Sequence, residues 1–294
     1  MLLLTVWLCF QRVASVAPIP LAATLFVMFN YQPLIENLAL GQANVLLLFL
    51  MTLAWWGLGA GHPWVAAGSV AAAVHIKPQY GLLLPLLWWI GLGSVCARTL
   101  LLAGLGLGVG LLILGPAHYL EYLRYLLSPP GYLSTWTANL SPRATLHRLL
   151  EGSGESRLVT DGLTLAVDGL LLALFARALP RATPPDSSAL DWSWGLGLTA
   201  ILLLSPLTEE HHLVVLLLPL TLLLLAEPVS AGRSRELGWL AASIVLLGSR
   251  YSFERFGLFH QGLLSLLTTG KLLGVVGLAC ILMRRLRHTG AGQP

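Results

Sequence analysis

The polar residues able to do chemistry are few in this chain, and they gather in four places. The first runs Tyr31-Gln32-Pro33-Leu34-Ile35-Glu36-Asn37 and on to Gly41-Gln42-Ala43-Asn44. Gln42 and Asn44 open an apolar run, where they can cap a helix or pair with a neighbouring one. Glutamine caps poorly, and amides beside a carboxylate are costly in lipid, so a pocket role is the expectation. The second place is His75-Ile76-Lys77-Pro78-Gln79. A lysine at a helix end can snorkel to the interface. Here a proline follows directly and marks a helix break, and an ammonium at a break suits a phosphate as a point charge.

The third place lies in the long segment 117–158, with Trp136, Asn139, Ser141, Arg143, His147 and Arg148. Arg143 and Arg148 either belong to a solvated amphipathic face or clamp a diphosphate or sugar phosphate. Tyr119, Tyr122, Tyr125, Tyr132 and Trp136 suggest interfacial helices there. The fourth is Ser205-Pro206-Leu207-Thr208-Glu209-Glu210-His211-His212. Two acids and two imidazoles between apolar runs are expensive unless paired. Adjacent histidines diverge by about 100° on a helix and rarely share one ion, and no H-E-x-x-H is present. Hydrogen bonding of His211 and His212 to a polar ligand is expected, with no metal and no cofactor.

Other motifs carry little. Gly104, Gly106, Gly108 and Gly110 form a G-x-G-x-G string inside an apolar run, which reads as helix packing and not as a nucleotide loop. Asn139-Leu140-Ser141 matches a glycosylation sequon, but Pro142 follows it. Cys9, Cys96 and Cys280 form no C-x-x-C pair and read as small core residues.

The elements that must position these groups are apolar helices. Of the 294 residues 56% are hydrophobic and 10% charged, against roughly 25% charged in a soluble domain. That excludes a conventional soluble enzyme, a nucleic-acid-binding protein and a disordered chain. The expected fold class is all-α, a polytopic membrane protein forming a single integral domain over 1–294. Apolar runs near 16–30, 43–58, 64–76, 80–93, 99–116, 159–177, 192–206, 213–227, 237–250 and 261–283 predict about ten spans. Met1–Phe10 adds half a helix that has no signal-peptide architecture.

The net charge of +4 is explained first by topology. Placing the 284–294 tail, with Arg284, Arg285 and Arg287, in the cytoplasm puts Arg233, Arg235, Arg177, Arg181, Arg98 and Arg12 on the same side. Segments 31–42, 77–79, 117–158, 207–212 and a loop near 250–260 then face outward, so all four polar clusters share the outer face. That face also keeps Lys77, Arg124, Arg143, Arg148, Arg157, Arg250 and Arg255. Long loops tolerate this; alternatively, some of these residues bind an anionic group.

The four clusters, in this order, resemble glycosyltransferase family 87, the polyprenol-phosphate-mannose-dependent α-1,2-mannosyltransferases. The resemblance rests on Gly41-Gln42-Ala43-Asn44, Lys77-Pro78-Gln79, Asn139 and Ser141, Ser205-Pro206, and His211-His212. It implies a type-C glycosyltransferase fold and a polyprenyl-phosphate sugar donor, with a glycolipid or glycan acceptor in a bacterial inner membrane. It also implies metal-independent inversion on the periplasmic or extracellular face. One carboxylate would take the acceptor's proton, and basic residues would receive the phosphate leaving group. The family places its acid in an Asp-bearing first outer loop, which this chain lacks. The expectation is therefore an N-terminally truncated relative, inactive unless another carboxylate serves; Glu36, Glu209 and Glu210 are the nearby ones, with Glu36 and Glu210 weak catalytic candidates. Two other readings compete: a transporter or flippase of a polar or lipid-linked solute, built on the same broken helices, and a structural envelope factor. The absence of an internal repeat in the apolar pattern weighs against the transporter.

Overall fold

The computed structural model describes residues 1–12, 18–127, 136–150, 157–181, 186–226, 233–250 and 253–290. Tyr132 and the side chains of Arg12, Arg157 and Arg233 lie outside what it describes. Among the described residues every regular element is helical and no strand occurs. The first half holds α1 (Leu2–Arg12), α2 (Pro18–Phe29), α3 (Gln32–Ala39), α4 (Asn44–Gly59), α5 (Pro63–Ile76), α6 (Leu83–Trp89) and α7 (Gly93–Leu114). The second holds α8 (Pro116–Leu127), α9 (Pro142–Leu150), α10 (Arg157–Ala178), α11 (Ser187–Leu204), α12 (Leu217–Leu225), α13 (Arg233–Gly248) and α14 (Gly270–Gly290).

The expectation of about ten spans is corrected. Four helices are long and apolar enough to cross a membrane: Gly93–Leu114, Leu158–Ala178, Ser187–Leu204 and Leu263–Thr289. The remaining apolar runs do become helical, but they are cut short. α4 has 16 residues and α5 has 14, giving rises of about 24 and 21 Å against a hydrocarbon core of about 30 Å. Proline does much of the cutting. Pro63, Pro78 and Pro116 stand at or next to the first helical position, where their missing N–H costs nothing. Pro78 also forces Lys77 into extended backbone (φ −142°, ψ 105°), which ends α5.

The core is one apolar cluster around α4, α5, α11, residues 213–223 and the middle of α14. Two tryptophans tie α4 to α11 through their indole N–H groups. Trp55 donates to Asp191 Oδ1 at 2.7 Å, and Trp194 donates to the Met51 carbonyl at 3.1 Å. Of the glycine string of α7, Gly106 and Gly110 act in packing, against His75 and Tyr119, with a Cβ on Gly106 falling 2.3 Å from His75 Nε2, whereas Gly104 and Gly108 face open space. α11 is the central helix, with 67% of its apolar window buried, whereas α7 has 6% and lies on the outside.

Candidate functional site

The break after α5 and the start of the 3-10 turn Glu210–Leu216 are brought together beside the loop that follows α3. Asn37 is buried, and its Oδ1 accepts from the Asn44 backbone N–H (3.2 Å) and from Asn44 Nδ2 (2.9 Å). This orients Asn44 so that its Oδ1 accepts from Lys77 Nζ at 2.8 Å. Lys77 thus has one neutral partner, and burial lowers its pKa to about 8, opposed by the charge of Glu209. Gln42 does not join this group through its side chain: it is exposed, and its carbonyl accepts from Asn37 Nδ2. Gln79 is half-buried one turn beyond the break, in the 3-10 turn Pro78–Leu82.

Glu209 opens the turn that carries both histidines, outside the four candidate spans. A reciprocal capping box fixes it: the Glu209 carboxylate accepts from the backbone N–H of His212, and the Glu209 N–H donates to His212 Nδ1 at 3.2 Å. That bond leaves the proton of neutral His212 on Nε2, which is directed at the Leu207 carbonyl. His211 stands edge-on to His212, with ring centroids 4.5 Å apart, and its Nδ1 lies 3.7 Å from Glu209 Oε2. Burial, helped by Lys77, lowers the His211 pKa to about 4, so the ring is neutral. Donor atoms of Glu209, His211 and His212 lie within 4.8 Å of one another. His212 Nδ1 is already engaged by the Glu209 N–H, so within this turn the trio serves as a cap.

A cavity of about 130 Å³ adjoins this turn, lined by Glu36, Glu209, Glu210, Thr137, Thr268 and Lys271 among others. Glu210 pairs with Lys271 Nζ at 3.0 Å. Lys271 is 3% exposed and also donates to the carbonyls of Leu247 (2.9 Å) and Ser249 (2.6 Å). Glu36 hydrogen-bonds Glu210, and its pKa is pushed up to about 7, first by burial and then by the Glu210 charge. Two carboxyls sharing a proton beside an ammonium give Glu36 a proton affinity near neutrality, the range a general base needs. Burial also raises Glu209, with Lys77 pulling the other way. The chain has only two lysines, and both are here.

The third cluster is placed differently from the first, second and fourth. Asn139 is fully buried and holds the 205–208 strip: its Nδ2 donates to the Pro206 carbonyl (3.0 Å) and its Oδ1 accepts from the Thr208 N–H (3.1 Å). Ser141 Oγ donates to the same Pro206 carbonyl. Arg148 is also fully buried, and its guanidinium donates to the carbonyls of Trp136 and Asn139, both at 2.8 Å. Asn139 and Arg148 therefore position Leu140 and Thr208 and do not line the Glu36 cavity. Arg143 points elsewhere, to Asp161 at 3.0 Å, so Arg143 and Arg148 do not form one clamp. Lys271 escaped the sequence reading, although a charge inside the 261–283 apolar run is the kind of signal that marks function in membranes.

Residues 1–206 match the family model of Glycosyltransferase family 87. The matched stretch contains Glu36, Gln42, Asn44, Lys77, Gln79, Asn139, Arg143 and Arg148 and ends three residues before Glu209. No curated protein and no solved structure matches the chain.

Proposed function

We propose a function from one premise: the chain belongs to glycosyltransferase family 87, so it is a membrane glycosyltransferase. In this reading it moves a hexose, mannose in the first instance, from a polyprenyl-phosphate donor to a lipid or glycan acceptor. The site works on the outer face of the bacterial inner membrane, within a type-C architecture. Glu36 is the base. Its carboxylate takes the acceptor hydroxyl's proton as that oxygen attacks the anomeric carbon. The bond from that carbon to the lipid-phosphate oxygen breaks, and the phosphate leaves with the electron pair, inverting the centre. Lys77, aimed by Asn44, faces the leaving phosphate, and neutral His211 offers a ring N–H. Glu210 and Lys271 tune Glu36 by sharing its proton and compensating its charge.

The observation that carries this reading is the Glu36–Glu210–Lys271 group on a cavity shared with Glu209. The test is transfer of labelled mannose from polyprenyl-phosphate-mannose by the purified protein in nanodiscs. Glu36→Gln should lose at least about 100-fold in kcat with KM for the donor little changed. Full transfer by Glu36→Gln would remove the base assignment, and a preference for polyprenyl-phosphate-glucose or -arabinose would replace mannose as the sugar.

A further inference from the structure

A second polar cavity lies away from Glu36, on the seam between α10 and α11. It has a volume of about 240 Å³, and its walls include Arg143, Asp161, Thr164, Asp168 and Ser205. Immediately along the same seam runs an apolar cavity of about 230 Å³, whose walls include Leu172, Phe175, Leu179, Leu196 and Ala200. Leu204 lines both, so the two are neighbours along α11.

The pattern along α10 is regular. Asp161, Thr164 and Asp168 are followed by Leu172 and Phe175, at spacings of three and four that keep all five on one face, and Leu179 stands just past the helix end. From Asp161 to its end at Ala178 the helix rises about 26 Å, close to a hydrocarbon thickness of about 30 Å. The face is polar over its first two turns and apolar over the rest. α11 answers it with Leu196, Ala200 and Leu204, and Gly197 leaves room there: a Cβ on it would fall 2.4 Å from Leu86.

We propose that this seam binds a glycolipid, with its sugar head against Asp161, Asp168 and Arg143 and its chain along Leu172, Phe175 and Leu179. The seam is a lipid site apart from the Glu36 cavity and stands independently of the transferase reading above. The charges select the head. Asp161 pairs with Arg143 at 3.0 Å and stands 3.4 Å from His147 Nε2, while Asp168 makes no hydrogen bond or ion pair among the described residues but lies within the field of Arg143. Two carboxylates against one guanidinium repel a phosphate headgroup. The guanidinium in the same wall disfavours an ammonium. Vicinal hydroxyls, which donate to carboxylates and accept from arginine, satisfy both. The apolar extension excludes a free sugar as the natural occupant, because about 230 Å³ of apolar wall would stay unfilled.

Native mass spectrometry of the delipidated protein tests this with four probes of matched chains: monoglucosyl-diacylglycerol, diacylglycerol, phosphatidylglycerol and phosphatidylethanolamine. The glycolipid should be held at least about tenfold more tightly than the other three, and Asp168→Asn should weaken it by about tenfold. Leu172→Trp, on a residue open to lipid, should also displace it, while Lys77→Ala leaves it bound. Equal retention of diacylglycerol, phosphatidylglycerol or phosphatidylethanolamine overturns the proposal, as does unchanged binding in Asp168→Asn. Glycolipid bound by a protein that transfers no sugar sinks the transferase reading and leaves the site standing.

Discussion

The two polar cavities differ in how the chain builds them. The α10–α11 cavity takes its two acids from one continuous helix, seven residues apart, and needs only the 3.6-residue period to align them. The Glu36 cavity draws on α3, the Glu209 turn and the start of α14, with Thr137 and Ala138 closing one side. Both use the Asn139–Pro206 clamp: one borders residues 205 and 206, the other residues 209 and 210. Regular helix can present a charged face but cannot make carboxyls converge. Convergence here comes from breaks: the extended Lys77, the 3-10 turn at Glu210 and the 3-10 stretch Leu263–Thr269 ahead of Lys271. Non-helical backbone at this depth is tolerated only where it lines a cavity.

The largest effect should come from removing the cation that holds the broken elements together. Lys271→Met leaves the half-buried Glu210 without its cation and removes the donor to two carbonyls. Losing one side of a buried pair costs about 3–5 kcal/mol, so the variant should be poorly folded by thermal shift in detergent. The double variant Lys271→Met/Glu210→Gln should recover much of that loss. If the single variant is as stable as the parent, the convergent cavity does not depend on this pair.

The pH profile sharpens the contrast next. Glu36 must be ionised to act as base, and its pKa stands at about 7. Transfer should therefore rise about tenfold per pH unit up to pH 7 and flatten above it. Glu210→Gln removes the carboxyl whose charge helps hold Glu36 up, so the inflection should move to lower pH. The stability sign is opposite. A carboxyl with a folded pKa above its unfolded 4.5 binds more protons when folded, so stability falls as pH rises from 4.5 to 7. An inflection unmoved in Glu210→Gln would break the link between these two carboxyls.

The sequence made the local half of this site legible. Lys77 before Pro78 announced a helix break with a cation, and the acidic–imidazole run at 209–212 announced paired polar groups. What could not be read was convergence. Lys271 lies inside an apolar run, and its partners Glu210 and Glu36 are remote in sequence, so no spacing linked them. Asn139 and Arg148 have the residue types of a ligand clamp, but folding commits them to backbone carbonyls. The count of spans failed for a related reason: a left-handed glycine, Gly61, ends α4 and Pro78 ends α5, at lengths that hydropathy alone does not distinguish from a crossing.

Asn139 provides a smaller test, one that touches both cavities at once. Asn139→Ala deletes three side-chain bonds, to the Pro206 carbonyl and from the N–H groups of Ser141 and Thr208. At about 1 kcal/mol each, the loss is roughly 2–4 kcal/mol. Because the clamp borders both cavities, kcat and glycolipid binding should fall together. A fall in one alone would show that the two cavities are held independently.

The smallest effect is expected where the helix alone does the work. Arg143 and Asp161 are each more than a third exposed, with side-chain accessibilities of 36% and 38%. Exposed pairs contribute about 0.2–1 kcal/mol, so Asp161→Asn should move the thermal midpoint little and leave sugar transfer to a saturating acceptor unchanged. The α10 face persists without the pair, because its alignment comes from helix period and not from the ion pair. Glycolipid affinity should nevertheless drop several-fold, since one of two carboxylates facing the head is gone. A large stability loss in Asp161→Asn would mean that this cavity, like the Glu36 one, is built by convergence.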